Sequence, residues 1–380
     1  MKFLINHTLS QTLLLLLGSN GFIAVAEEEF RRDVQLLMYE TDASTIEQNP
    51  RTPLHFVKER SSVAHLKTTV YGGGGLPFRG FGDKYQTLRP LLEIANPETL
   101  IILADTRDTV LNVPDDEDIA RAVVDEFVER FHILTQENPN AVIVSAEAQC
   151  CVSAMAHANL SEYFDADTGR RNKRACSSGL LGCQWSDNDN VHSWVSFMNQ
   201  RAFNTTGQEG HTGGDVYLNA GLMVGYPKDL MKLIDVLDIE PTEDDQAVLT
   251  GLMYTYPDMI TLDYKQEMFG NNQWTRGIDG CVFEGNGSSL IHLETRTQPL
   301  MIHTPGKFYS CLDIIMEALG GQSQQRYHLD ERKLMTGQLS LAGQLGLGGA
   351  AKDDDVANDD NNVQQTHENI ENYGSYGQYG

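Results

Sequence analysis

The stretch Leu100-Ile101-Ile102-Leu103-Ala104-Asp105-Thr106-Arg107-Asp108 decides the reading of the fold. The apolar run from Leu100 to Ala104 suits a strand buried on both faces. Two carboxylates, Asp105 and Asp108, close it. Downstream, Pro114-Asp115-Asp116-Glu117 carries the proline and acids of a helix start. Ile119, Val123, Phe127 and Phe131 then recur at helical spacing, and Asn138-Pro139-Asn140 stops the run. Val142 to Ala146 is a second compact apolar run, and Val34 to Tyr39 is an earlier one. Strand, helix and strand of these lengths predict a βαβ unit. The fold class is therefore α/β, with a Rossmann-type, mostly parallel central sheet flanked by helices.

Outward from this unit, Asp229 to Leu237 and Asp244 to Tyr254 read as helices, the second starting in Glu243-Asp244-Asp245. Residues 157–215 are polar, with few clear periodic segments, and read as a long insertion. They hold the basic run Gly169 to Arg174, which is either a solvated loop or a processing site for a dibasic protease. Ordered structure is expected to end near Leu319. Residues 320–380 are rich in Gly, Gln and Ser, then in Asp and Asn, then in Gly and Tyr. That composition predicts a disordered acidic tail.

The chain has 380 residues, 41% of them hydrophobic, which is enough for a large core and excludes disorder for most of its length. Its formal net charge is −25. Binding of nucleic-acid phosphates needs surplus Lys and Arg, so no nucleic-acid partner is expected. An anionic membrane surface would repel the chain too. Residues 1–26 combine a basic start, an apolar run at Leu13 to Leu17 and the ending Ala24-Val25-Ala26, the pattern of a cleaved signal peptide, with an uncleaved membrane anchor as the alternative that Gln11, Ser19 and Asn20 disfavour. The expected location is the lumen of the endoplasmic reticulum or Golgi, or outside the cell, with no stable membrane insertion after cleavage. In such a compartment the six cysteines, Cys150, Cys151, Cys176, Cys183, Cys281 and Cys311, are expected to form disulfides, and Cys176 with Cys183 would close a short loop. Sequons at Asn159, Asn204 and Asn286 would carry glycans where exposed.

Asp105 and Asp108 are the first chemical candidates. In a straight strand, positions three apart point to opposite faces, so both carboxylates reach one point only if the chain turns between them. Ligands of open α/β sheets bind at strand carboxyl ends. Two acids there suit a hard divalent cation that grips a diphosphate. The alternative is that they cap the next turn or pair with Arg107. Ile302-His303-Thr304-Pro305-Gly306-Lys307 is the second candidate. His303 is either a packed imidazole or a ligand that favours Mn2+ over Mg2+ or Ca2+. Gly306 lets backbone approach a ligand, and Lys307 can meet phosphate. Tyr217-Leu218-Asn219-Ala220-Gly221 offers small residues and an Asn able to bond sugar hydroxyls, or is only a turn into a strand. Asp244 and Asp245 favour the helix dipole, or face a reacting sugar.

Taken in order, these segments resemble the glycosyltransferase domain of the procollagen lysyl hydroxylase/glycosyltransferase proteins, from about residue 33 to about 312. The family's Asp-x-x-Asp strand end matches Asp105 to Asp108, and its Ser-Ala-Glu strand end matches Ser145-Ala146-Glu147. Its Leu-Asn-Ser-Gly segment matches Leu218 to Gly221, and its Asp-Asp-Gln run matches Asp244-Asp245-Gln246. Its Leu-Asp-His-Lys segment matches Leu262 to Lys265, and its His-Gly-Asn-Gly region matches His303 to Gly306. A glycine-rich stretch followed by Lys matches Gly80 to Lys84.

The resemblance implies a GT-A-like fold over residues 33–319 and a hexosyltransferase that moves a hexose from a UDP-sugar to a protein or glycan acceptor. It implies Mn2+ on Asp105, Asp108 and His303, and a donor site at Thr41, Asp42, Lys84, Gly306 and Lys307. Asp244, Asp245 and Asn219 would lie at the transferred sugar or acceptor. Two departures stand out: Cys151 replaces the family's Trp, and the segment between Glu147 and Asn219 is much longer here. With a tail instead of a downstream hydroxylase domain, lysyl hydroxylation is not predicted. A different class, a non-catalytic nucleotide-sugar-binding or interaction module of the same fold, is the alternative, and a metal-dependent hydrolase ranks third.

Overall fold

The computed structural model describes residues 30–41, 52–72, 78–148, 150, 152–165, 168, 171–172, 188–207, 215–272, 281–285, 289–305 and 309–320. The leader at 1–26 and the tail beyond 320 lie outside the described residues, as do Cys151, Cys176, Cys183 and Asn286.

Eleven strands and eight α-helices are described. In chain order they are β1 (Val34–Tyr39), α1 (Pro53–Val63), β2 (Lys67–Tyr71), α2 (Asp83–Ile94), β3 (Leu100–Asp105), β4 (Thr109–Leu111), α3 (Glu117–Leu134), β5 (Val142–Glu147) and α4 (Ser153–Ala156). Then come α5 (Asn188–Thr206), β6 (Tyr217–Gly225), α6 (Pro227–Leu237), α7 (Asp245–Thr255), β7 (Ile260–Asp263), β8 (Phe269–Asn271), β9 (Phe283–Gly285), β10 (Leu290–His292), β11 (Met301–His303) and α8 (Tyr309–Ala318).

The main sheet has the order β2-β1-β3-β6-β5-β7. β1 pairs in parallel with β2 and β3, and β5 with β7, while β6 runs antiparallel to both β3 and β5. Five strands thus point one way, as the apolar runs predict. The expected βαβ unit is modified, because β3 and β5 are not neighbours. The reverse strand β6, from far along the chain, lies between them.

Alternation along the strands sends residues to two separate layers. Leu36, Met38, Leu100, Ile102, Ile143 and Val224 face α1 and α3. Leu37, Ile101, Leu103, Val144 and Met223 face the layer built from α2, α5, α6 and α7. A third cluster, around Val110, Phe283, Ile302 and Ile315, covers the small sheet β4-β11-β8. The Cys281–Cys311 disulfide ties the chain before β9 to α8.

Several expectations shift in detail. In α3 the buried row is Ala120, Val123, Val124, Phe127 and Phe131, while Ile119 is exposed. Asp116 caps this helix, accepting from the Ile119 backbone N–H at 3.0 Å. Inside the polar stretch 157–215 lies a 19-residue helix, α5, anchored by Trp194, Met198 and Ala202 at spacing i, i+4 and i+8. The Arg171 side chain is not solvated. It pairs with the buried Glu243 and donates to the carbonyls of Leu237 and Asp238. A buried carboxylate needs such a partner; Gly169, Arg170, Lys173 and Arg174 of the basic run lie outside the described residues. Asn204 is exposed on α5.

The turn from β7 into β8 is built on Asp263. Its carboxyl accepts from the backbone N–H groups of Glu267, Met268 and Phe269 at 3.0, 2.7 and 2.9 Å. Burial pushes this carboxyl up to about 6, against the three N–H groups that favour its charged form. In the window from 3.8 to about 6 the folded chain holds a proton that the unfolded chain has released. The resulting stabilisation is full below the unfolded value and is lost as pH rises through the folded one. Asp263→Asn removes this titration. Urea unfolding is expected to show the stability difference between the two proteins moving in the variant's favour by on the order of 2 kcal/mol between about pH 4 and pH 7. A difference that stays flat with pH would refute the assignment.

Candidate active site at the strand ends

The Asp105–Asp108 turn is held by the two residues inside it. The Thr106 hydroxyl lies 2.8 Å from both the Tyr39 carbonyl and Glu40 Oε2 and shares its one hydrogen between them. Arg107 makes a two-pronged pair with the buried Glu40, Nε to Oε2 at 3.0 Å and Nη2 to Oε1 at 3.1 Å. The turn is therefore pinned to the end of β1, and Arg107 pairs with Glu40 instead of neutralising Asp105 or Asp108.

His303 reaches the same place from another sheet. β11 pairs with β4, setting His303 opposite Thr109, and Thr304 N–H donates to the Asp108 carbonyl at 2.8 Å. His303 Nε2 lies 3.3 Å from Asp108 Oδ1. One ligand atom each from Asp105, Asp108 and His303 fall within 4.8 Å of one another. The ring has room because residue 221 is Gly: a Cβ there would stand 2.3 Å from His303 Cε1. Gly221 sits in a bulge of β6, where pairing with β5 jumps from Val144↔Met223 to Ser145↔Asn219.

A buried cation stands beside the acids. Lys84 Nζ lies 2.7 Å from Asp245 Oδ2 and 3.3 Å from Asp105 Oδ1, and donates to the Ala220 carbonyl at 2.9 Å. The Tyr85 hydroxyl donates to Asp245 Oδ2 at 3.2 Å. Burial opposes the charge on Lys84, yet Asp105 and Asp245 carry its titration well above the ordinary lysine range. Burial pushes the Asp105 carboxyl up; Lys84 opposes this and Asp108 adds to it. Burial opposes the His303 imidazolium as well, but Asp108, Asp105 and Glu147 raise it overall. Two acids and an imidazole crowded in this way suit a divalent cation: the donor set is hard oxygen plus one nitrogen, with the third ligand already aimed at the acids.

The other expected residues divide. Asp245 joins the cluster through Lys84, whereas the Asp244 carboxyl caps α7, accepting from the Ala247 N–H at 3.0 Å. The Asn219 amide spans Glu147 Oε2 at 3.0 Å and the Gly221 N–H at 2.9 Å. Glu147 also accepts from Gln246 Nε2 at 2.7 Å. Thr41 follows β1 and is half-buried. Asp42, Gly306 and Lys307 lie outside the described residues. Glu40 and Asn271 carry no signal of their own in the sequence. Asn271 Oδ1 lies 3.0 Å from His303 Nδ1.

Residues 209–325 match the family described as PLOD GT domain, a span that includes Asn219, Asp244, Asp245 and His303. No curated protein matches the sequence. Among solved structures, the chain is similar to a glycosyltransferase involved in the glycosylation of the major capsid of PBCV-1, at 11% identity over 74% of this chain and 98% of that one, with a TM-score of 0.38. It is also similar to mouse xyloside xylosyltransferase 1 in its apo form, at 12% identity over 73% of this chain and 99% of that one, with a TM-score of 0.36. Over residues 209–325, under a third of its length, the chain is thus similar to a PLOD glycosyltransferase domain.

Proposed function

We propose that this chain transfers a hexose from a UDP-sugar to a protein or glycan acceptor, with Mn2+ as its metal. One observation carries the reading: Asp105, Asp108 and His303 converge from the ends of β3, the following turn and β11. Carboxylates suit Mg2+, Ca2+ and Mn2+ alike, and the imidazole tips the choice toward Mn2+. A bound divalent cation would take up negative charge as it builds on the UDP leaving group.

The protein's own groups set the frame for transfer. Lys84 ties Asp245 to Asp105, so the acid at the start of α7 stands one side chain from the metal ligands. That supports Asp245, not the helix-capping Asp244, as the acid beside the transferred sugar. Asn219 serves by holding Glu147 and the Gly221 bulge in place. Thr41 and Asp42 near the uridine, and Gly306 and Lys307 at the diphosphate, rest on the family resemblance and on their positions after β1 and β11. Lumenal or secreted placement is supported by the pattern of residues 1–26 and by the Cys281–Cys311 disulfide. No helix among the described residues is long and apolar enough to cross a membrane.

Release of UDP from a panel of UDP-sugars, with and without Mn2+, tests the proposal and selects the donor. Hydrolysis stimulated by Mn2+ is expected, with EDTA abolishing it and Asp105→Ala or His303→Ala lowering it at least about 100-fold. Parent and variants alike at background would refute it. A second experiment addresses Lys84. Lys84→Met keeps the apolar stem but leaves the buried Asp245 and the half-buried Asp105 without their cation. Its unfolding free energy is expected to fall by about 3 kcal/mol. Lys84→Met combined with Asp245→Asn is expected to recover part of that loss. An equal loss in the single and double variants would show that the ion pair is not the source.

A further inference from the structure

We infer that Asn271 is a positioning residue that holds the His303 imidazole in the tautomer able to ligate a divalent cation. The inference rests on the reading of Asp105, Asp108 and His303 as a metal site.

β8 and β11 are parallel neighbours, and their register sets Asn271 beside His303. Both side chains are buried, at 2% and 4% exposure, so neither exchanges partners with water. A carboxamide donates from one end and accepts at the other. Asn271 Nδ2 donates to the Ala146 carbonyl at the end of β5, at 2.7 Å. A carbonyl can only accept, so this contact fixes which end of the amide is which, and Oδ1 is the atom turned toward His303 Nδ1 at 3.0 Å. Oδ1 also only accepts, so this contact is a hydrogen bond only when Nδ1 carries the hydrogen. In the neutral ring the lone pair then sits on Nε2, the nitrogen that faces Asp108.

The ring is confined in other directions as well. Gly221 forms a wall with clearance for the ring and none for a Cβ. Asn271 N–H donates to Gln266 Oε1 at 2.8 Å, and Asn272 N–H donates to the His303 carbonyl at 2.8 Å, which locks the two strands in register. A neutral acceptor also has an electrostatic advantage here. Asp105, Asp108 and Glu147 already act on His303, and a carboxylate at 271 would add a fourth negative group. Metal-bound histidines generally donate their second N–H to such an outer partner, and losing that partner costs roughly 10- to 100-fold in metal affinity.

The experiment uses the full chain and reads no turnover. The tautomer of His303 is read from long-range 1H–15N correlations of metal-free, 15N-histidine-labelled protein at an alkaline pH where the ring is neutral, with His303→Ala identifying the signal. Mn2+ affinity is measured by titration calorimetry without sugar nucleotide. The unmodified chain is expected to show the Nδ1–H form. Asn271→Leu is expected to lose that signature and to bind Mn2+ about 10- to 100-fold more weakly, and Asn271→Asp to keep the Nδ1–H form. An Nε2–H ring in the unmodified chain overturns the inference even if no variant folds. Parental Mn2+ affinity in a folded Asn271→Leu overturns it while leaving the metal reading intact. Absence of Mn2+ binding by the unmodified chain overturns the metal reading, and this inference with it.

Discussion

Like charges held close together repel, and the site depends on containing that repulsion. Asp105 and Asp108 are brought within a few ångströms of His303, with Glu147 and Asp245 nearby, where burial weakens the screening that water would supply. The fold answers with geometry before charge. Glu40 draws Arg107 and Thr106 onto the end of β1, which fixes the turn without spending a cation on its two acids. Among the described residues, Lys84 is then the one buried ammonium placed among them, and it is shared between Asp105 and Asp245. The remaining excess of negative charge is what a dication at the cluster would balance.

Much of this was legible because buried strands announce themselves. Val34 to Tyr39, Leu100 to Ala104 and Val142 to Ala146 became β1, β3 and β5 with bounds shifted by one residue at most, since both faces of each strand are covered and nearly every position is apolar. The starts of α3 and α7 were legible for a local reason too, an acid that accepts from a backbone N–H three residues on. What was not legible is non-local. Nothing in Tyr217 to Gly225 says that it inserts between β3 and β5 in the reverse direction. In α5 the fully buried stripe is only Trp194, Met198 and Ala202, with Val191, Val195 and Phe197 partly buried beside it, so the polar residues between them blur the period.

The site divides in the same way. Asp105, Asp108 and His303 carry side chains whose chemistry is recognisable one by one, and the fold brings them together. Asp244 and Asp245 are adjacent in sequence and look interchangeable, yet one caps a helix and the other binds Lys84, because successive residues at a helix start point in different directions. Glu40 and Asn271 are silent in the sequence because their work consists of bonds to groups about 66 and 32 residues away.

The bulge of β6 makes three consecutive residues serve three different parts of the site. Asn219 holds Glu147, the Ala220 carbonyl receives Lys84, and Gly221 makes room for His303. Substitutions in this segment act one partner at a time. A change in its length acts on all three at once, since slipping a strand by one residue turns every side chain to the opposite face. An insertion or deletion in this short tract therefore disturbs Glu147, Lys84 and His303 together.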